Sequence, residues 1–151
     1  MKTNYFFKPS ISVCIITALF LFLVGWAITK TINNHPISCT IILGVTLYII
    51  SIAPIFISVS DNYVILHRII GRKKFNIKED YTLRKITVKE LDNSNTIRAF
   101  GSGGFMGILG IFYSKKFGGF FYVYIVNDKE MALLENKKTK KVYIINYPTT
   151  I

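Results

Sequence analysis

The first sixty residues contain no acidic side chain and only three basic ones, Lys2, Lys8 and Lys30. All 8 acidic residues and 16 of the 19 basic ones come at or after Asp61. Overall, 18% of the 151 residues are charged, against about 25% in an average soluble domain. There are two cysteines, Cys14 and Cys39, too few and too early in the chain for a disulfide framework. These shortages exclude a simple soluble globule, a disordered chain and a cysteine-stapled secreted domain. They leave an apolar membrane segment joined to a polar domain of 151 − 60 = 91 residues.

What fills the first part is apolar sequence. Apart from Lys30, no formal charge falls between Pro9 and Ser60. A helix crossing the hydrocarbon core needs about 20 mostly apolar residues. Residues 1–58 are therefore expected to hold two transmembrane helices, at about 11–29 and 37–56, joined by a turn at Thr31–Pro36. Gly25-Trp26-Ala27-Ile28-Thr29 makes a poor signal-peptidase site, and a second apolar run follows at once. Basic residues flank the outer ends of the pair (Lys2 and Lys8 before, Arg68, Arg72, Lys73 and Lys74 after), so both termini are expected in the cytoplasm. In such a hairpin Cys14 and Cys39 lie near opposite faces, too far apart for an intrachain disulfide. Neither span holds an ionisable side chain of the kind that marks a proton or ion path, and the helices read as an anchor.

Residues 59–151 are expected to form a β-domain. Phe56–Ser60 and Tyr63–Arg68 flank Asp61-Asn62, a hairpin turn by its chemistry. Further strands are predicted at Arg72–Ile77, Lys85–Lys89, Thr96–Phe100, Gly119–Val126, Lys129–Leu134 and Lys141–Ile145. The spacing points to an antiparallel sandwich or barrel.

Seven of the ten glycines fall between 101 and 119. A dinucleotide fingerprint starting at Gly101 and Gly103 needs glycine where Met106 stands, and no Gly-Lys-Ser/Thr occurs. The apolar glycine segment (Gly101, Gly103, Gly104, Gly107, Gly110, with Phe112 and Tyr113) is expected to be a connection that packs on its own domain, the bilayer or a partner. Catalytic constellations are absent from the sequence. The two histidines, His35 and His67, are placed on opposite sides of the membrane, and the domain has no cysteine. No cofactor or metal is expected. The domain's net charge is 16 − 8 = +8, suited to anionic lipid next to the anchor. Arg68, Arg72, Lys73 and Lys74 are the candidate membrane-surface contacts, and nucleic acid is not expected as a partner.

Four stretches carry a family likeness: Ser60-Asp-Asn-Tyr-Val-Ile-Leu-His-Arg68, Ile97-Arg-Ala-Phe-Gly-Ser-Gly-Gly104, Gly107-x-x-Gly110-x-Phe112-Tyr113 and Lys141-Val-Tyr-Ile-Ile-Asn-Tyr-Pro148. Together they resemble a bacterial pleckstrin-homology-like (PH) domain, in its membrane-anchored form with two N-terminal helices. The resemblance implies a strongly bent antiparallel sheet and a non-enzymatic binding or scaffolding role. It also implies a C-terminal capping helix, for which Pro148-Thr-Thr-Ile151 leaves no length. The two-residue turn at Asp61-Asn62 is too short for a basic phosphoinositide loop, so that ligand is not carried over. The alternatives are an accessory subunit of a membrane transport or envelope complex, and an enzyme using the glycine segment.

Overall fold

The computed structural model describes Lys2 to Pro148. A short strand, β1 (Thr3–Phe6), precedes two apolar helices, α1 (Ile11–Thr31) and α2 (Pro36–Ile52). Ser10 caps α1 by accepting the Val13 N–H at 3.3 Å, and Pro36 occupies the first turn of α2, where its missing N–H costs nothing. Four strands follow: β2 (Pro54–Val59), β3 (Tyr63–Arg68), β4 (Arg72–Asn76) and β5 (Tyr81–Ile86). A five-residue helix, α3 (Val88–Asp92), then leads to β6 (Ile97–Gly104), β7 (Gly107–Ser114), β8 (Gly119–Ile125), β9 (Met131–Asn136) and β10 (Val142–Asn146).

The strands form a four-stranded sheet, β1-β2-β3-β4, and a six-stranded one, β5-β9-β10-β8-β7-β6. Ile57, Val64, Leu66 and Phe75 of the first pack on Tyr124, Leu134, Tyr143 and Ile145 of the second. The other face of the larger sheet buries Phe112, Phe121, Val123, Leu133 and Ile144, with Val88 and Leu91 of α3 packed against them.

Several expectations are corrected. The second helix ends at Ile52, not near residue 56, because residues 54–59 pair with β1 on one side and β3 on the other. The four residues of β1 therefore belong to the β-domain, whose expected start is 59. The expected strand at Lys85–Lys89 ends at Ile86. Thr87 accepts the Glu90 N–H at 3.3 Å and starts α3, a Thr-x-x-Glu capping pattern. The glycine segment is not a loop. It is the β6–β7 hairpin, paired from Ile97↔Tyr113 to Gly104↔Gly107 with a bulge between Arg98 and Phe100. Nor is the larger sheet wholly antiparallel, since β10 inserts between β9 and β8 and runs parallel to β8. Among the described residues no helix follows β10.

Pairing of β1 with β2 has a topological consequence. Their register, Thr3↔Val59 to Phe6↔Phe56, joins the residues just before α1 to those just after α2. The helix pair is thus an excursion from one edge of a sheet, and its two open ends lie together.

Candidate functional site

The end of the β-domain that meets the helices is tied to both of them by backbone hydrogen bonds. At the base of α1, Ser10 N–H donates to the Val126 carbonyl at 3.2 Å, and the Asn127 side-chain Nδ2 donates to the Lys8 carbonyl at 3.0 Å. The buried Asn146 side chain holds the loop after β8 in place: it accepts the Val126 N–H at 2.7 Å and donates to the Asn127 and Glu130 carbonyls at 3.0 and 2.8 Å. At the end of α2, the β3–β4 turn supplies donors to the last carbonyls. Ile69 N–H bonds Ala53 O at 3.1 Å and Ile70 N–H bonds Ser51 O at 2.9 Å, groups a helix end otherwise leaves unsatisfied.

The glycine hairpin reaches further along α1. Its tip, Phe105-Met106, lies against the helix: the Met106 N–H donates to Thr17 Oγ1 at 2.9 Å, and the Phe105 and Phe20 rings are 4.6 Å apart. Gly104 is buried against Ile16. Farther back on β6, Phe100 approaches Tyr48 of α2, with ring centres 6.3 Å apart. A cleft of about 250 Å³ remains between Ser10–Ile16 and the strand ends at Gly103, Ile108 and Ile125. Around this end Phe6, Ile55, Ile69, Ile70 and Phe100 expose much of their side chains.

The glycines divide by role. Gly101 and Gly110 face each other across the hairpin with φ of +120° and +130°, a region that favours glycine. A Cβ on Gly101 would collide with the Leu109 carbonyl oxygen, and one on Gly110 with that of Phe100. Gly107 is equally closed, against the Ile125 carbonyl. Gly103 is exposed and gives its space to the Arg98 guanidinium. Phe112 enters the core beside Phe121, and Tyr113 meets Phe120 at 5.2 Å on the half-exposed face.

The four basic candidates do not form one patch. Arg68 and Arg72 flank the turn below α2, Arg68 half-buried with its Nε lacking a hydrogen-bond partner. Lys73 turns away into an aromatic cluster of Phe75, Tyr122 and Tyr143, where burial lowers its pKa. Lys74 lies over Tyr63, toward the far end of the strand, 4.4 Å from the ring centre.

A feature the sequence did not reveal is a polar knot on the outer face of the smaller sheet. The fully buried Ser58 hydroxyl donates to Asn4 Oδ1 at 2.6 Å and meets His67 Nε2 at 3.1 Å. Because the Ser58 proton goes to Asn4, His67 Nε2 is the donor to Ser58, the reverse of a nucleophile–base pair. The His67 ring stacks on Phe56 at 4.1 Å, and its pKa is lowered, first by burial and then by Lys2 and Arg72. Only the long-range pairing of β1 with β2 brings Asn4 to Ser58, so no local motif signals it.

Both cysteines are free, Cys14 exposed and Cys39 buried with its Sγ 3.3 Å from Thr31 Oγ1. Among the described residues no three His, Cys, Asp or Glu side chains could share a metal ion. The α1 helix, 21 residues, is long and apolar enough to cross a membrane; α2, with 17, is a shorter apolar helix. No protein family, curated protein or solved structure was found to match this chain.

Proposed function

We propose that this chain is a membrane-anchored, non-enzymatic binding or scaffolding module. Its helix pair crosses the bacterial inner membrane twice and holds a basic β-domain on the cytoplasmic face. The observation that carries the reading is the β1–β2 pairing across an apolar helix pair. A sheet cannot form across a bilayer, so the helices cross together or not at all. With α1 apolar over 21 residues and none of them buried, crossing is the favoured arrangement.

The ligand class is anionic phospholipid, drawn by Arg68 and Arg72 beside the α2 end and by the +8 charge of residues 61–151. The pleckstrin-homology-like reading of the domain belongs to the same proposal. It is supported by the Asp61-Asn62 hairpin, closed by the Ser60 N–H to Tyr63 carbonyl bond at 2.9 Å, and by two bent sheets packed face to face. The parallel β8–β10 pair is its departure from an all-antiparallel order.

Two measurements test the proposal. With Cys14 and Cys39 replaced by serine, a cysteine at Asn33 is expected to react with impermeant maleimide in intact cells, and one at Lys137 only after permeabilisation. The opposite pattern overturns the topology. In nanodiscs, amide exchange over Ile69–Lys74 is expected to slow in anionic relative to zwitterionic lipid and to recover in high salt. Equal exchange in both lipids removes the lipid-binding role.

A further inference from the structure

We infer that the β6–β7 glycine hairpin is itself immersed in the bilayer, as a third membrane-embedded element whose tip contacts phospholipid acyl chains. The inference rests on the proposal that the helices cross the membrane, and adds the depth to which the β-domain follows them.

Helix length sets the level of the membrane. The 17 residues of α2 span about 25 Å, less than the roughly 30 Å of a hydrocarbon core, so a crossing α2 has no turn to spare and Ile52 sits at the core boundary. The adjoining start of α1 lies on the same side. From Ile11, Ile16 and Phe20 are about 7.5 and 13.5 Å along the helix axis. These are the residues that Gly104 and Phe105 pack against. The hairpin tip is therefore several ångströms inside the boundary, and Phe100 beside Tyr48 is close to it.

The chemistry of the hairpin fits that depth. Its two strands, 8 residues each, contain one charged side chain, Arg98, between Ile97 at the start and Ser114 at the end. Arg98 lays its guanidinium over Gly103, and a long stem of this kind can keep the charge at phosphate level while its carbons follow the apolar strand. Within hydrocarbon an unpaired turn N–H is costly. The turn's Met106 N–H finds a partner in Thr17 Oγ1, a helix hydroxyl, and the edge strand β6 is the strand that packs on α1. Gly104, whose missing side chain leaves room for Ile16, lets the tip lie flush with the helix.

Tryptophan quenching in the intact chain tests this. Trp26 is the only tryptophan, so Trp26→Phe provides a dark background. Into it go Phe22→Trp on the exposed face of α1, Met106→Trp or Phe105→Trp at the hairpin tip, and Tyr63→Trp at the end of β3 remote from the helices. In vesicles of acyl-chain-brominated lipid, emission is expected to be strongly quenched at Phe22→Trp and Met106→Trp, less at Phe105→Trp, where the ring is buried against α1, and kept at Tyr63→Trp. Two tip variants protect the result against one that misfolds. If both tip variants behave like Tyr63→Trp while Phe22→Trp is quenched, the hairpin lies in water and the inference fails with the anchor intact. If Phe22→Trp also keeps its emission, the anchor itself fails and the immersed hairpin with it.

Discussion

The Lys73 ammonium lies 3.9 Å from the centre of the Tyr143 ring, with the Tyr122 and Phe75 ring centres at 5.5 and 5.8 Å. Lys73 comes from the smaller sheet and Tyr143 from the larger, so this cation–π contact clasps the two across the edge of the core.

Removing the clasp is expected to loosen the sandwich without affecting lipid contact. Cation–π contacts contribute about 0.5–2 kcal/mol, rising with desolvation. Lys73→Ala is expected to lower the melting temperature in detergent, and Lys73→Met, which keeps the stem, to lower it less. Lipid-dependent protection of the Ile69–Lys74 turn is expected to survive in Lys73→Met and to weaken in the Arg68→Gln, Arg72→Gln pair.

The hairpin glycines are expected to separate sharply. Gly110→Ala puts a side chain at φ +130° and against the Phe100 carbonyl. The backbone strain alone costs about 1–3 kcal/mol, before the collision is added. Gly103→Ala meets only the movable end of Arg98 and is expected to leave the melting temperature nearly unchanged. Equal tolerance at both positions would show that the hairpin is not paired in this register.

Thr17 takes the one turn N–H that points at α1. Thr17→Val leaves that partly buried donor unpaired, at a cost of up to about 1–3 kcal/mol, whereas Thr17→Ser keeps the acceptor. A drop in melting temperature for valine but not for serine is expected, together with faster exchange at the Met106 amide.

His67 is expected to make the domain acid-sensitive. Its folded-state pKa lies below the ordinary 6.5, so the unfolded chain binds the proton more readily. The stability this contributes is complete above pH 6.5 and is lost as pH falls through the lower folded value. Melting temperature measured from pH 7.5 down to 5 is expected to fall, and His67→Gln, which can still donate to Ser58, to flatten that slope.

How much of this could be read from the chain depends on the range of the interaction concerned. The start of α1 was visible because Ile11 opens a long charge-free apolar run. The end of α2 was not, since Pro54-Ile-Phe-Ile57 is as apolar as the helix before it. Pairing with Tyr63–Arg68 on one side and with Thr3–Phe6, some fifty residues earlier, on the other makes it a strand. Thr87-Val-Lys-Glu90 was a readable helix start, hidden by the alternating residues that run into it. The glycine stretch suggested a loop because its pairing partner is the other half of the same stretch. Placing Val142 beside Phe121 in a parallel pair had no local signal at all. For the same reason Asn4, Ser58 and His67 were unremarkable singly and form a knot only once three strands are side by side.

The β1–β2 pairing also constrains how the protein is made. Thr3–Phe6 leaves the ribosome ahead of both helices, yet its partner Phe56–Val59 emerges only after they have been synthesised. The first strand must wait, unpaired, while the apolar helices are delivered to their surroundings, and joins its sheet only when the chain has come back to where it started. In the proposed membrane arrangement, insertion of the helix pair precedes closure of the smaller sheet, and a chain arrested before residue 56 would carry both helices with one open strand and nothing to bind it.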